Sequence, residues 1–222
     1  SQLGDFNIKW IEIVKENTSK VDLIEVSNIE KDDNSHNICN LNQTHIEKAK
    51  NSYVNTIYAL KEISDKASSE RPCGVRKVLR TVQGMIDLIM EDDFVFLGLS
   101  TIRDYDDYTY VHSVNVAILS MSLGARIGLA REALEALGIS GIFHDLGKVK
   151  IPIEIINKSG SLSPDEYEYV KKHSVNSVRM ILWLRASREL LQEILIGPFE
   201  HHLKYDLSGY PQTDRNKPLS LY

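Results

Sequence analysis

Cysteine is scarce in this sequence: there are two in 222 residues, Cys39 and Cys73. They lack CxxC spacing and lie outside the histidine-rich part of the chain, which argues against both a disulfide framework and a thiolate metal site. They read as free thiols. No uninterrupted apolar run approaches the roughly 18 residues of a membrane span, and the polar, acidic start from Ser1 to Asp5 does not resemble a signal peptide. A cytoplasmic location is therefore expected. Positive charge is also in short supply. The 26 Lys and Arg against 31 Asp and Glu leave a formal net charge of -5, which argues against a large footprint on duplex nucleic acid. A small phosphate ligand held through metal needs no basic protein. With 42% hydrophobic residues, the chain can bury a core sufficient for one domain with an appendage, or for two small domains.

Histidine, by contrast, stands in a setting that asks for explanation. In Gly141-Ile142-Phe143-His144-Asp145-Leu146-Gly147-Lys148, an imidazole and a carboxylate sit side by side at the end of an apolar run. Aspartate is rarely buried unless it is paired or holds a cation, so the pair calls for a positive partner. A divalent metal fits that need. An ordinary helix end with a capped acid fits it too, and the rest of the chain has to decide.

Residues 1–42 mix apolar positions Ile8, Ile11 and Val14 with a short strand pattern at residues 21–29 and an Asn-rich polar stretch at residues 31–42 that reads as a loop. They are expected to form a small regulatory or interaction segment of mixed α+β character, with His36 and His45 as exposed loop residues. From Thr44 onward, Ile46, Ala49, Tyr53, Ile57, Leu60 and Ile63 recur at three and four residue steps, predicting a linker helix within residues 43–74. Arg71 to Gly74 breaks the pattern. A second helix follows through Val78, Val82, Met85, Ile86 and Ile89. The apolar faces of the two suit ordinary core, a signal-transmitting stalk or a homodimer interface.

A helix beginning near Thr109 carries His112 at the edge of a stripe formed by Val111, Val114, Ala117, Ile118 and Met121. The next, over residues 130–142, delivers His144 and Asp145 at its end, with Gly147 suited to the turn beyond. Ser163-Pro164-Asp165-Glu166 is a helix start with an N-cap serine, a proline at the first position and the glutamate of a capping box. That helix runs on through Tyr167, Val170, His173, Val178 and Ile181. The last, from Ser187, reaches His201-His202, and Pro198 is expected to kink or break it. Five of the seven histidines thus fall near one end of successive predicted helices. An all-α, multi-helix bundle can converge such side chains on one cavity. An imidazole-rich set with one carboxylate suits iron, manganese, zinc or related ions better than magnesium or calcium.

In combination, His112-Ser113-Val114-Asn115-Val116, His144-Asp145-Leu146-Gly147-Lys148, Lys172-His173, and His201-His202 followed by Asp206-Leu207-Ser208-Gly209-Tyr210-Pro211 resemble the HD-GYP family of bacterial cyclic di-GMP phosphodiesterases. The resemblance covers residues 75–222. It implies an HD-type helical bundle holding two divalent ions, iron or manganese foremost. Asp145 would bridge them, with His112, His144, His173, His201 and His202 divided between the two. It implies hydrolysis of cyclic di-GMP to pGpG, and on to GMP, by a hydroxide bridging the metals. Lys148 would hold a phosphate oxygen or the leaving oxygen. The loop with Asp206, Gly209, Tyr210 and Pro211 would serve substrate recognition or contact with a partner such as a diguanylate cyclase or another signalling protein.

The chain departs from that family's pattern at Leu203, where the family has glutamate, and at Leu207, where it has a glycine free to adopt positive φ. Tyr108 stands where trimetal members carry glutamate, which favours two ions over three. The family's further aspartate ligand lies on a helix beyond the Gly-Tyr-Pro loop, and the sequence ends at Tyr222 before it, so the domain is expected to be truncated. Two readings follow: an active phosphodiesterase, or a catalytically degenerate signalling module that binds metal, cyclic dinucleotide or a protein partner without turnover. An HD enzyme acting on mononucleotides would share His144-Asp145 but would not need His201-His202 or Gly209-Tyr210-Pro211.

Overall fold

The computed structural model describes residues 33–91, 108–212 and 218–219, with side chains from residue 44 onward except that of Tyr108. Within these the chain is an all-α bundle. Helix α1 (Asp33–Ser68) is followed by a two-residue strand β1 (Cys73–Gly74) and by α2 (Arg76–Glu91). Then come α3 (Tyr108–Arg126), α4 (Arg131–Phe143), a 3-10 turn (Leu146–Lys150), the short α5 (Ile153–Ile156), α6 (Pro164–Lys171), α7 (His173–Ile181), β2 (Leu184–Arg185) and α8 (Arg188–Glu200). Among these residues β1 and β2 form the sole sheet, a parallel pair of Cys73 with Leu184 and Gly74 with Arg185 that fastens the α1–α2 corner to the α7–α8 junction.

The periodic apolar positions are the ones that close the core. Ala49, Tyr53, Leu60, Ile63 and Ala67 of α1 pack with Val78, Val82, Met85 and Ile86 of α2, and both helices share their cluster with Val114, Ile118 and Met121 of α3. Helix α4 is central and packs on α2, α3 and α8. Small residues let it approach α3 closely: a Cβ on Gly141 would lie 2.9 Å from Ala117 Cα, and one on Gly138 would lie 2.4 Å from Met121 Sδ. Any side chain there would force apart the two helices that carry His112 and His144.

Several sequence-based expectations need correction. Helix α1 begins at Asp33, inside the stretch expected to be a loop. His45 lies on that helix, 3.4 Å from Glu91 Oε2, and is not a loop residue. The expected continuous helix through Tyr167 and Ile181 is two helices, α6 and α7, meeting at Lys172. Pro198 does not break α8, because it falls within the last turn, where one missing N–H removes a single helical bond. The Ser163 capping box is present with both of its hydrogen bonds. The expected strand at residues 21–29 lies outside the described residues.

Candidate metal centre

Every histidine singled out in the second half of the chain arrives at Asp145, which is 2% exposed. Its Oδ2 lies 3.0 Å from His144 Nε2 and 3.6 Å from His112 Nε2, while Oδ1 lies 3.3 Å from His173 Nε2 and 3.7 Å from His201 Nε2. His202 Nε2 completes the second side, 3.2 Å from His173 Nε2. The donors fall into two groups sharing the one carboxylate: His112, His144 and Asp145, and Asp145, His173, His201 and His202.

Local structure fixes which ring nitrogen each histidine presents. Nδ1 of His144, His173 and His201 lies 2.7, 2.7 and 2.9 Å from the carbonyl oxygens of Gly141, Val170 and Pro198. A carbonyl can only accept, so each Nδ1 carries the proton and each Nε2 of a neutral ring is a lone pair. Three lone pairs therefore converge on a carboxylate, with His173 and His201 Nε2 only 3.1 Å apart. Oδ1 of Asp145 is buried and accepts no hydrogen bond. Burial holds His112 and His173 below the ordinary histidine range. It also pushes His202 down to about 4, with the charges of His201 and His173 adding to the effect. Burial opposes ionisation of Asp145, but hydrogen bonds from His144 and His201 when those rings are protonated, together with the Lys148 ammonium, outweigh it and hold the carboxyl well below the usual carboxylate range. Neutral imidazole lone pairs facing an ionised carboxylate repel one another until cations stand between them. The donor set thus fits divalent metal ions bound through nitrogen and oxygen.

A family model described as an HD domain matches residues 85–222. The chain belongs to the HD domain family. Among its relatives, a cyclic di-GMP phosphodiesterase of Pseudomonas aeruginosa is 35% identical over 125 residues, 56% of this chain and 30% of the relative. A 3'3'-cGAMP-specific phosphodiesterase of Vibrio cholerae is 36% identical over 114 residues, covering 51% of this chain and 26% of the relative. A cyclic di-GMP phosphodiesterase of Thermotoga maritima is 30% identical over 135 residues, 58% and 36% of the two chains. The matched segment is thus about a third of these relatives' length or less. No solved structure is a significant match. The HD-GYP resemblance carried by the motifs agrees with these relatives.

The remaining candidate residues expected from the sequence are Lys148 and those of the loop from Asp206 to Pro211. Lys148 Nζ lies 2.6 Å from Asp145 Oδ2. The Tyr210 ring stacks on the His202 ring at 4.4 Å and 25°, and it meets His173 edge-on at 6.1 Å. Burial, with Tyr167 and Asp145 nearby, raises the Tyr210 phenol to about 12, so its proton stays on. Asp206 closes its own turn, accepting from Ser208 N at 3.0 Å and Ser208 Oγ at 2.6 Å. Gly209, at φ 106, brings the chain back over His202, whose carbonyl oxygen would lie 2.2 Å from a Cβ at that position. Leu207 nonetheless adopts φ 64, so the left-handed conformation expected to be lost with the family's glycine is kept at a cost in strain.

The roles of three residues were not apparent in the sequence. Gly147 is not a left-handed turn residue. It is in the 3-10 turn, where a Cβ would lie 2.1 Å from His173 O. Ser177, fully buried, accepts from Gly147 N at 2.8 Å and donates to His144 O at 2.9 Å, tying the His-Asp turn to the helix that bears His173. Glu200, 6% exposed, lines a cavity with His144, His201 and Leu203. Its signal was its place directly before the His-His pair. Beside the centre opens a larger cleft of about 1030 Å³, with Asp145, Lys148, Tyr110 and Lys158 among polar residues and Ile153 and Ile156 on its apolar wall.

Proposed function

We propose that this chain is the hydrolytic domain of a metal-dependent cyclic di-GMP phosphodiesterase, opening the ring to pGpG. The observation that carries the reading is the division of Asp145: each oxygen faces its own set of imidazoles, at the edge of a cleft of about 1030 Å³. That volume lies at the upper end of the ~300–1,000 Å³ of small-molecule sites and suits a dinucleotide better than a mononucleotide. The names of the relatives point to the same substrate class.

In this reading His112, His144 and Asp145 hold one ion and Asp145, His173, His201 and His202 hold the other, iron or manganese before other transition ions. Bound there, two divalent ions would activate a water and neutralise phosphodiester charge. The chain's own groups orient and discriminate. Gly141, Val170 and Pro198 fix the imidazole tautomers through their carbonyls. Lys148, 30% exposed at its side chain, can leave Asp145 for a phosphate oxygen or the departing 3'-oxygen. The balance is one water consumed, one P–O3' bond broken, and a 5'-phosphate and a 3'-hydroxyl formed. Tyr210, kept neutral and stacked on His202, would bear on recognition, as would the loop from Asp206 to Pro211, which is also where a diguanylate cyclase or another signalling protein would dock.

The second reading, a module that binds without turnover, rests on Leu203, which puts a buried leucine where the family carries glutamate. Incubating manganese- or iron-loaded protein with cyclic di-GMP and following pGpG separates the two. Turnover that is lost in His144→Ala supports the phosphodiesterase. Binding of cyclic di-GMP by loaded protein with no pGpG would install the second reading.

A further inference from the structure

A second cavity, of about 390 Å³, lies behind α7 and shares no residue with the metal centre. Along α7 the centre takes the stripe of His173 and Ser177. Lys172, Asn176 and Arg179, with Trp183 beyond the helix end, form the stripe beside it and turn into this cavity. Lys150 of the 3-10 turn and Tyr169 of α6 complete its distinctive lining.

The charge balance is unusual for a chain of net charge -5. Three cationic side chains line one small space, and among the described residues Lys150, Lys172 and Arg179 form no ion pair. Lys150 Nζ is held on the Ser68 carbonyl at 2.5 Å, and Lys172 Nζ lies 5.0 Å from the centre of the Tyr169 ring. The one carboxylate in the wall, Glu70, leaves the cavity net positive. Tyr169 and Trp183 remain 39% and 42% exposed, so large aromatic faces stand open at the same place. Clustered cations repel unless an anion joins them. The planar guanidinium of an arginine suits a phosphate, and an indole face suits a purine base.

We propose that this cavity is a binding site for a purine nucleoside monophosphate, with Arg179 and Lys172 on the phosphate and the base against Trp183. Its volume is near the lower end of the ~300–1,000 Å³ of ligand sites, which suits one nucleotide and not two. The proposal concerns a site separate from the metal centre and stands whether or not that centre hydrolyses cyclic di-GMP.

The sequence has two tryptophans, so Trp10→Phe in the full chain leaves Trp183 as the reporter. Titration with GMP should quench its fluorescence saturably, and inorganic phosphate should compete without quenching. Arg179→Glu should weaken GMP binding at least about tenfold, with Arg179→Ala intermediate, because the arginine is exposed and its loss leaves the core intact. His144→Ala should bind GMP as the parent does. Absence of saturable quenching, failure of phosphate to compete, unchanged affinity in both Arg179 variants, or loss of binding in His144→Ala would each overturn the assignment, the last by moving the nucleotide to the metal centre.

Discussion

If each oxygen of Asp145 serves a separate ion, single substitutions should empty the two positions one at a time. His112 and His144 face Oδ2, His173 and His201 face Oδ1, and His202 stands 3.2 Å from His173 on the second side. A four-ligand structural zinc site is worth about 10–16 kcal/mol, so one ligand contributes about 3 kcal/mol, or roughly 100-fold in affinity. His112→Ala should therefore release the ion of the first group and keep the other, and His202→Ala should do the reverse. Asp145→Asn preserves shape but removes the charge common to both groups, and it should retain neither ion. The assay is elemental analysis of protein purified without chelator and passed through gel filtration, joined to calorimetric titration with Mn²⁺. Helical content measured by circular dichroism guards against misfolding. One tightly held ion in the unaltered chain would refute the two-ion reading. So would an Asp145→Asn variant that keeps an ion at parental affinity, since the carboxylate would then not be shared.

Lys148→Met should leave metal content unchanged and lower kcat about 100- to 1,000-fold, the loss typical of one transition-state donor. A change confined to KM would show that Lys148 only binds substrate. Ser177→Ala leaves Gly147 N–H and His144 C=O without their buried partner and should destabilise the fold by about 1–3 kcal/mol, read from the urea midpoint. An unchanged midpoint would show that the serine bridge is dispensable. Leu207→Gly should relieve about 1 kcal/mol of left-handed strain and raise the melting temperature. A lower one would show that the leucine side chain outweighs the strain. In metal-free protein, acidification from 6.5 toward about 4 protonates His202 in the unfolded chain before the folded one, so the fold loses stability through that window and has this contribution in full above it. Urea midpoints at several pH values should therefore fall less steeply in His202→Gln, and an equal slope would rule out His202 as a source.

The helices were legible because their apolar positions recur at three and four residue steps over long segments, and Ser163 to Glu166 announced α6 by its hydrogen-bonding chemistry. What escaped did so for physical reasons. The polar stretch after residue 32 has no face to bury, yet extending an established helix costs little once nucleation is complete, so α1 runs back to Asp33. The break at Lys172 leaves the apolar spacing of Tyr167, Val170, Val178 and Ile181 nearly undisturbed. The pattern therefore could not report it. Gly147 looked like a turn glycine, whereas the requirement comes from His173 O, a contact made only after the chain folds. The metal-ligating residue types were visible individually; the assignment of two donors to each oxygen of Asp145 needed coordinates.

One local device unites the centre and explains why these histidines stand at helix ends. The last carbonyls of a helix have no helical N–H to receive. Gly141 in α4, Val170 in α6 and Pro198 in α8 present carbonyl oxygens of this kind near a helix end, and each accepts a hydrogen bond from Nδ1–H of the histidine three residues on. That single bond satisfies the backbone, selects the tautomer and turns Nε2 outward. Moving any of these histidines one residue along would rotate it by about 100° around the helix and leave both the carbonyl and the central cavity unserved. The same geometry accounts for tolerance of Pro198: a proline lacks the N–H but keeps its carbonyl, and the carbonyl is the part that His201 uses.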